Sequence, residues 1–490
     1  MDTGNDSFVY DWKTWALYGV LAACIAILPL LMACSGLPSI GSSCGKSYQV
    51  FELFGFCSMA ALAVVAYVEI KRRRSAGLVG IVSVVLFVLV FSHMAMLISE
   101  CTRKTGDYEC YRSAAEKVLA GQNPYSGTGY LYPPVLAEAM AGVHQALVGI
   151  TDAIGARASD ADICSSIFYL WQCAQFFLAI AAYLLSVRFV KVLGGKGILP
   201  VLLVAAVFVF DIPLIRTLRW NQANLLMLVA ILYVLAMGKK RPFLAGAVLA
   251  LGVCIKLYPV VLLLPVIITR RWRTLAGFAV AMFAIIALDV GLRRNFDIWL
   301  WYLDFFRGFP SGFPVFSTSR DNSLYNIIVR SAWFMSTGVT SRGAFVIALL
   351  LWRLSAIAAL IYTTSRIVVR ERSFALQAKT CGDIGQADTI RFTGHAVDLL
   401  ALALVLSPLV WEHHYVLAVP VILWAIICQH RRRPWLVGLG SMLILLPPSF
   451  DVWPFSFHRI VGLAMLIVSS LPVVDLAEHQ KNIKDLQVFG

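Results

Sequence analysis

Short polar groups interrupt an otherwise apolar sequence, and they hold residue types able to handle a proton, a phosphate or a sugar hydroxyl. The first is Asp107, in Gly106-Asp107-Tyr108-Glu109-Cys110-Tyr111. A carboxylate a few residues beyond an apolar stretch can act as general base toward an attacking hydroxyl, with Glu109 its near rival. Asp107 equally suits the N-cap of a helix. Gly121-Gln122-Asn123-Pro124-Tyr125 and Tyr130-Leu131-Tyr132-Pro133-Pro134 follow, with the residues that end one helix and start another. Arg216, Arg219, Trp220, Asn221, Gln222 and Asn224 crowd a single turn. Two arginines there suit a phosphate, and anchoring at the interface is the plainer use. Lys256 stands alone in an apolar hairpin, where it either meets an anion or snorkels to the surface. Arg320-Asp321-Asn322-Ser323 and Trp411-Glu412-His413-His414-Tyr415 complete the series. The histidines lack the H-E-x-x-H zinc spacing, and neighbours on a helix project from different faces, so joint metal ligation is not expected. Either could contact a phosphate or a sugar hydroxyl. No cysteine or histidine spacing points to zinc, and neither metal nor cofactor is expected. Cys101 and Cys110 bracket Asp107, and an oxidising compartment would permit them to pair.

The elements that position these groups follow from composition. Of the 490 residues, 60% are hydrophobic and only 14% charged. A soluble domain has about a quarter charged and under half apolar. Apolar stretches recur throughout, among them Trp15 to Cys34, Phe51 to Val68, Gly77 to Ile98 and Ser165 to Arg188, and about 20 such residues span a bilayer. The class is therefore an all-α polytopic membrane protein. The net charge of +14 does not call for nucleic acid, because the basic residues cluster between apolar runs. Lys71 to Arg74, Lys239 to Arg241, Arg270 to Arg273 and Arg431 to Arg433 mark cytoplasmic loops by the positive-inside rule. Alternation along the chain then gives about 14 crossings. It leaves residues 99–162 and 292–342 as extracytoplasmic loops of a single membrane domain over 1–490, with every candidate group above on the extracytoplasmic side. In the first loop, helices are predicted over 108–119 and from Pro133 to Ile150, lying along the membrane surface. The polar segment from Arg370 to Arg391 is expected to be a flexible cytoplasmic connector.

The order of motifs carries more than any one of them. An Asp precedes an aromatic-spaced helix and a Gly-x-x-Pro-Tyr turn: Asp107, Tyr111, Ala115, Gly121, Pro124 and Tyr125. Tyr132-Pro133-Pro134 comes next, then Asn221-Gln222-Ala223-Asn224, Arg241 to Gly246, Ile255 to Pro259, Asn322-Ser323-Leu324, and Ser407-Pro408 with Trp411 and His413. This series, covering roughly Asp107 to Tyr415, resembles glycosyltransferase family 87. That family comprises polyprenol-phosphate-sugar-dependent enzymes of the type C fold (GT-C), including mycobacterial mannosyltransferases and arabinofuranosyltransferases. The pattern departs at Asn221, where the family has Gly.

The resemblance implies a GT-C bundle of about 12–14 transmembrane helices with extracytoplasmic amphipathic helices. It implies an inverting transfer from a polyprenyl-phosphate sugar, mannose before arabinofuranose, to a lipid or glycan acceptor at the outer face of the cytoplasmic (inner) membrane. Asp107 would be the base. Arg219, Lys256 and His413 would hold the phosphate, and Tyr111, Tyr132, Arg216, Gln222, Asn224, Asn322 and His414 would line the substrate sites. The partners are the donor, the acceptor and membrane lipids, not nucleic acid. A transporter or flippase of a lipid-linked precursor shares the span count. Transporters, however, place polar groups at the midplane and often carry inverted repeats, whereas these groups gather at one face.

Overall fold

The computed structural model describes residues 84, 85, 87, 88, 90, 91 and 94, then 106–155, 159–197, 199–293, 296–312, 321–335, 342–380, 384–429, 433–445 and 457–470. The chain divides into two units, Met1–Glu100 and Cys101–Gly490. The described residues of the first unit are helical. The stretches Trp15 to Cys34 and Phe51 to Val68, the basic cluster at Lys71 to Arg74, and Cys101 lie outside the described residues. Cys110 is a free thiol.

In the second unit the two predicted surface helices are present as α1 (Asp107–Leu119) and α2 (Val135–Ala153). On α1, Tyr108, Tyr111, Ala114 and Ala115 are buried on one face. Arg112 pairs with Glu109 and Glu116 on the other, the i,i+3 and i,i+4 arrangement that supports a short helix. The tyrosines pack with Tyr130, Tyr132, Leu136 and Met140, and with Ile163 and Phe168 of α3 (Asp160–Val192). A capping box between Ser159 and Asp162 fixes where α3 starts.

Beyond α3 come α4 (Leu199–Phe210), α5 (Ile212–Arg219), α6 (Asn224–Met237) and α7 (Pro242–Ile255). A 3-10 turn (Tyr258–Leu262) leads to α8 (Leu263–Ile268), α9 (Trp272–Arg293), α10 (Asp297–Gly312), α11 (Leu324–Met335), α12 (Arg342–Thr380) and α13 (Ile384–Leu406). A second 3-10 turn (Glu412–Ala418) precedes α14 (Val419–Gln429), α15 (Pro434–Leu445) and α16 (His458–Ser469). Every one of these elements is helical, and the only strand-like pairing among the described residues is an isolated bridge between Asp321 and Trp411. Among the described residues, α3, α9, α12 and α13 are long and apolar enough to cross a membrane, and the bent pair α4–α5 makes a fifth. Six shorter apolar segments accompany them. The chain is an all-α polytopic membrane protein. Phe283 of α9 (76% exposed) and Ile361 of α12 (64%) present apolar surface that lipid, not water, would cover.

Two departures from the expected layout have plain causes. The segment between α4 and α6 is not a simple turn. Asp211 caps α5 by accepting from the Leu214 N–H at 3.1 Å, Pro213 sits in its first turn, and α5 leaves α4 at 58°. Nor is Arg370 to Arg391 a flexible connector: most of it is helix, tied down by ion pairs. Arg366 and Arg370 both bind Asp398, at 3.0 and 2.8 Å. Arg391 and His395 share Glu371, and Arg271 reaches Asp388 at 2.9 Å. Mixed charge, which reads as solvated loop, is here held in ion pairs that run from half-buried to buried.

Helix contact is closest where side chains are smallest. A Cβ on Gly246 of α7 would fall 1.9 Å from the Thr274 carbonyl oxygen, and one on Gly277 of α9 would fall 2.0 Å from that of Phe243. The two backbones therefore touch, the usual role of small residues between membrane helices.

The Asp398 cluster gives a direct test of what holds α12 to α13. Asp398→Ala should leave two buried guanidiniums facing each other and destabilise the protein by about 3–5 kcal/mol. Thermal unfolding in detergent would record this as a lower midpoint; an unchanged midpoint would remove the cluster from the stabilising interactions.

Candidate functional site

Four segments distant in sequence meet around Lys256. The helix that would otherwise run on from α7 breaks there, because the chain turns extended at Lys256 (φ −158°, ψ 136°) and Pro259 follows. The side chain is buried, 7% exposed. Its ammonium donates to Asn224 Oδ1 at 2.9 Å and lies 3.0 Å from His414 Nε2, with the Tyr132 ring 4.7 Å away. Tyr132 in turn donates its hydroxyl to Asp107 Oδ2 at 2.6 Å. A carboxylate, a phenol, an ammonium, an amide and an imidazole thus form one continuous group.

The tautomer of His414 follows from the network. The Trp411 N–H donates to His414 Nδ1 at 3.0 Å, so the ring proton resides on Nε2. Nε2–H then faces Lys256. The pair makes a hydrogen bond only if the lysine is a neutral amine; as an ammonium it presents a second donor to the same point. Two converging donors without an acceptor between them are what an anionic oxygen requires.

The surrounding turns hold this arrangement. Asn224 Nδ2 and Thr217 Oγ1 both donate to the His413 carbonyl at 3.1 Å. Tyr258 packs on His414 and bonds Ser407 at 2.9 Å. Asn322 donates its N–H to Val410 O and accepts from the Tyr415 hydroxyl, while Asp321 Oδ1 accepts from Val410 N–H. On the other side, Asp107 N–H donates to Trp220 O at 3.2 Å, and Tyr111 accepts from Ala223 N–H at 3.3 Å. These bonds dock α1 on the Trp220 to Asn224 turn. Asn221 takes a left-handed conformation there (φ 52°), one that Asn tolerates better than other residues with a side chain. Asn can therefore stand where the family pattern has Gly. Burial, then neighbouring phenol and carboxylate charge, holds the Tyr132 phenol well above the ordinary tyrosine range; burial, then the Asp107 charge, does the same for Tyr111. Both remain protonated donors at neutral pH.

Of the residues singled out by sequence, Asp107, Tyr111, Tyr132, Asn224, Lys256 and His414 come together. His413 lies beside them, its ring edge-on to His414 at a centroid distance of 4.6 Å. Both histidines sit on the 3-10 turn, and their rings meet although successive residues there project about 120° apart. Gln222 is buried and its backbone carbonyl accepts from Gln175, but neither atom of its side-chain amide has a partner among the described residues. Arg216 pairs with Glu412 at 3.5 Å instead of facing the open site. Asn322 acts through its backbone. Arg219 is exposed at the end of α5, unlike buried Lys256. Glu109 is occupied by Arg112 and does not share the hydrogen bond from Tyr132.

Sequence reasoning missed Arg459. It is fully buried on α16 and binds Glu412 at 2.7 Å, so it fixes the residue immediately before the two histidines. An arginine inside an apolar stretch was the available signal.

Residues 130–366 match the profile of glycosyltransferase family 87. That stretch, a little under half of the chain, is similar to the domain of that family. The matched stretch holds Tyr132, Asn224 and Lys256; Asp107 precedes it, and His413 and His414 follow it. Two mycobacterial relatives are each a polyprenol-phosphate-mannose-dependent alpha-(1-2)-phosphatidylinositol pentamannoside mannosyltransferase. The one from Mycobacterium tuberculosis is 24% identical over 347 residues, 70% of this chain and 68% of the relative. The one from Mycolicibacterium smegmatis is 26% identical over 317 residues, 63% of each. The chain thus aligns with about two thirds of each relative's length, and with this match it is a glycosyltransferase.

The docking of α1 depends on Gly106. It has φ 70°, and a Cβ there would lie 2.1 Å from the Trp220 carbonyl oxygen. Gly106→Ala should therefore cost about 1–3 kcal/mol in backbone strain and push α1 off the turn. Hydrogen exchange in peptides covering α1 should accelerate; wild-type protection would show that the close approach does not hold the helix.

Proposed function

We propose that this protein transfers a mannosyl residue from a polyprenyl-phosphate donor to a hydroxyl of a lipid-linked glycan acceptor, with inversion. Asp107 acts as general base and Lys256 with His414 binds the donor phosphate. The observation that carries this reading is the pair of donors, Lys256 Nζ and His414 Nε2–H, converging one tyrosine away from the Asp107 carboxylate. The two ends of the group suit the two ends of the reaction. Asp107 takes the proton of the acceptor hydroxyl as its oxygen bonds to the anomeric carbon. The bond from that carbon to the phosphate oxygen breaks, and the electron pair leaves with polyprenyl phosphate. The added charge falls where the two donors point. Tyr132 holds the carboxylate in place and separates it from the lysine with its ring face. The unpartnered Gln222 amide is suited to a sugar hydroxyl.

The donor sugar rests on the names of the mycobacterial relatives, both mannose-dependent. The side of the membrane rests on charge. α6 begins at Asn224 in the site and runs to the basic cluster at Lys239 to Arg241; α7 returns from that cluster to Lys256. Fourteen residues of helix separate the two ends by roughly 20 Å. By the positive-inside rule the basic end would face the cytoplasm, which supports a site at the outer face.

Asp107→Asn keeps the shape of the side chain while removing its basicity. Membranes carrying it should incorporate the protein normally yet transfer mannose from labelled polyprenyl-phosphate mannose roughly 10²-fold more slowly, or worse. Glu109→Gln should stay near the wild-type rate, since Glu109 pairs with Arg112 on the helix surface. Retained transfer in Asp107→Asn would end the assignment, and loss in Glu109→Gln alone would move the base two residues along.

A further inference from the structure

The flank of α1 that carries Arg112 and Glu116 borders a separate polar site. We propose that His144, Asp160 and Cys164 bind a divalent metal of the zinc class there, in a site distinct from the transfer site. His144 comes from α2, and Asp160 and Cys164 from the first turns of α3. The last two are four residues apart and so share a helix face, and the capping box at Ser159 and Asp162 fixes that face in place. The imidazole nitrogen, the carboxylate oxygen and the sulfur all lie within 4.8 Å of one another, with His144 Nε2 3.1 Å from Asp160 Oδ1. Metal–ligand distances of about 2.0–2.3 Å give a tetrahedron whose ligands are roughly 3.3–3.8 Å apart. A change of side-chain rotamer closes the difference.

The chemistry of the donor set selects the ion. Thiolate with imidazole disfavours magnesium and calcium and suits zinc, and the carboxylate completes a common zinc set. One thiolate and one carboxylate neutralise a dication, the thiol releasing its proton on binding, so the occupied site carries no net charge beside the Arg112 guanidinium. That guanidinium lies within electrostatic reach of Cys164. The three side chains line a cavity of about 160 Å³, which leaves room for a fourth ligand, as in zinc sites with three protein ligands. A metal held here ties α2 to α3 beneath the helix that carries Asp107. No sequence spacing announces the site, because His144 is 16 residues from Asp160 and only the fold joins them.

The test needs no activity measurement. The full-length protein, purified in detergent and stripped with chelator, is titrated with Co²⁺ and then with Zn²⁺. The wild type should take up one equivalent of Co²⁺, with a thiolate-to-cobalt charge-transfer band in the near ultraviolet, and Zn²⁺ should displace it. Cys164→Ser should lose the band, while Cys173→Ser should keep it. Asp160→Asn, at an exposed position, should bind at least about 10-fold more weakly, given that even outer-shell changes cost 10–100-fold. Absence of a band in the wild type would reduce the cluster to a hydrogen-bonded pair beside a thiol. Persistence of the band in Cys164→Ser, or undiminished affinity in Asp160→Asn, would equally overturn the proposal.

Discussion

An ammonium group buried at the end of an apolar hairpin is the constraint on which the rest of the site depends. Lys256 cannot be left unsolvated, because an unpaired charge in a low-dielectric setting costs several kcal/mol. The fold meets that cost without giving the lysine a carboxylate of its own. Asn224 supplies an oxygen, Tyr132 supplies the face of its ring, and Asp107 stands one residue further off. A direct ion pair would neutralise the lysine and leave nothing for a phosphate. The arrangement keeps the charge partly compensated, which is what a site for a transient anion needs.

Much of the surrounding structure follows from that requirement. The break in the helix at Lys256 exposes backbone that lipid could not satisfy, and it is tolerated because protein surrounds it. The 3-10 turn carrying His413 and His414 is held by Thr217, Asn224 and the chain Arg459–Glu412, so its two imidazoles stay fixed against Lys256. At the opposite end of the same helices, arginines and carboxylates neutralise one another: Arg366, Arg370 and Asp398 in one group, Arg271 and Asp388 in another. Each of these guanidiniums meets a carboxylate, whereas Lys256 has none among the described residues. That asymmetry separates a stabilising network from a binding site.

Helices and their chemistry were legible in the sequence where hydrophobic period and punctuation agree. The amphipathic pattern of α1, the double proline before α2 and the long apolar runs of α3, α9 and α13 all reappear in the structure. The polar turns at Tyr132, Asn224, Lys256 and His414 were legible as candidates, because polar residues at the ends of apolar runs demand partners. Which partner each finds was not. Arg216 looked like a phosphate ligand, but Glu412 takes it, and that pairing depends on a helix bend set by Asp211 and Pro213. The segment Arg370 to Arg391 looked solvated because composition does not reveal that its charges cancel in space. Arg459 carried a signal as an arginine in an apolar stretch, but its partner lies 47 residues away. Asn221 shows the reverse case, where an apparent departure from pattern resolves once the backbone is known to be left-handed.

A structure of the protein with polyprenyl phosphate bound tests the central claim most directly. The account predicts a phosphate oxygen within about 3 Å of both Lys256 Nζ and His414 Nε2, the distance at which charge-assisted hydrogen bonds form, with the Asp107 carboxylate facing the space where the anomeric carbon would stand. A phosphate held at the exposed Arg219, with Lys256 still bonded only to Asn224 and His414, would contradict it.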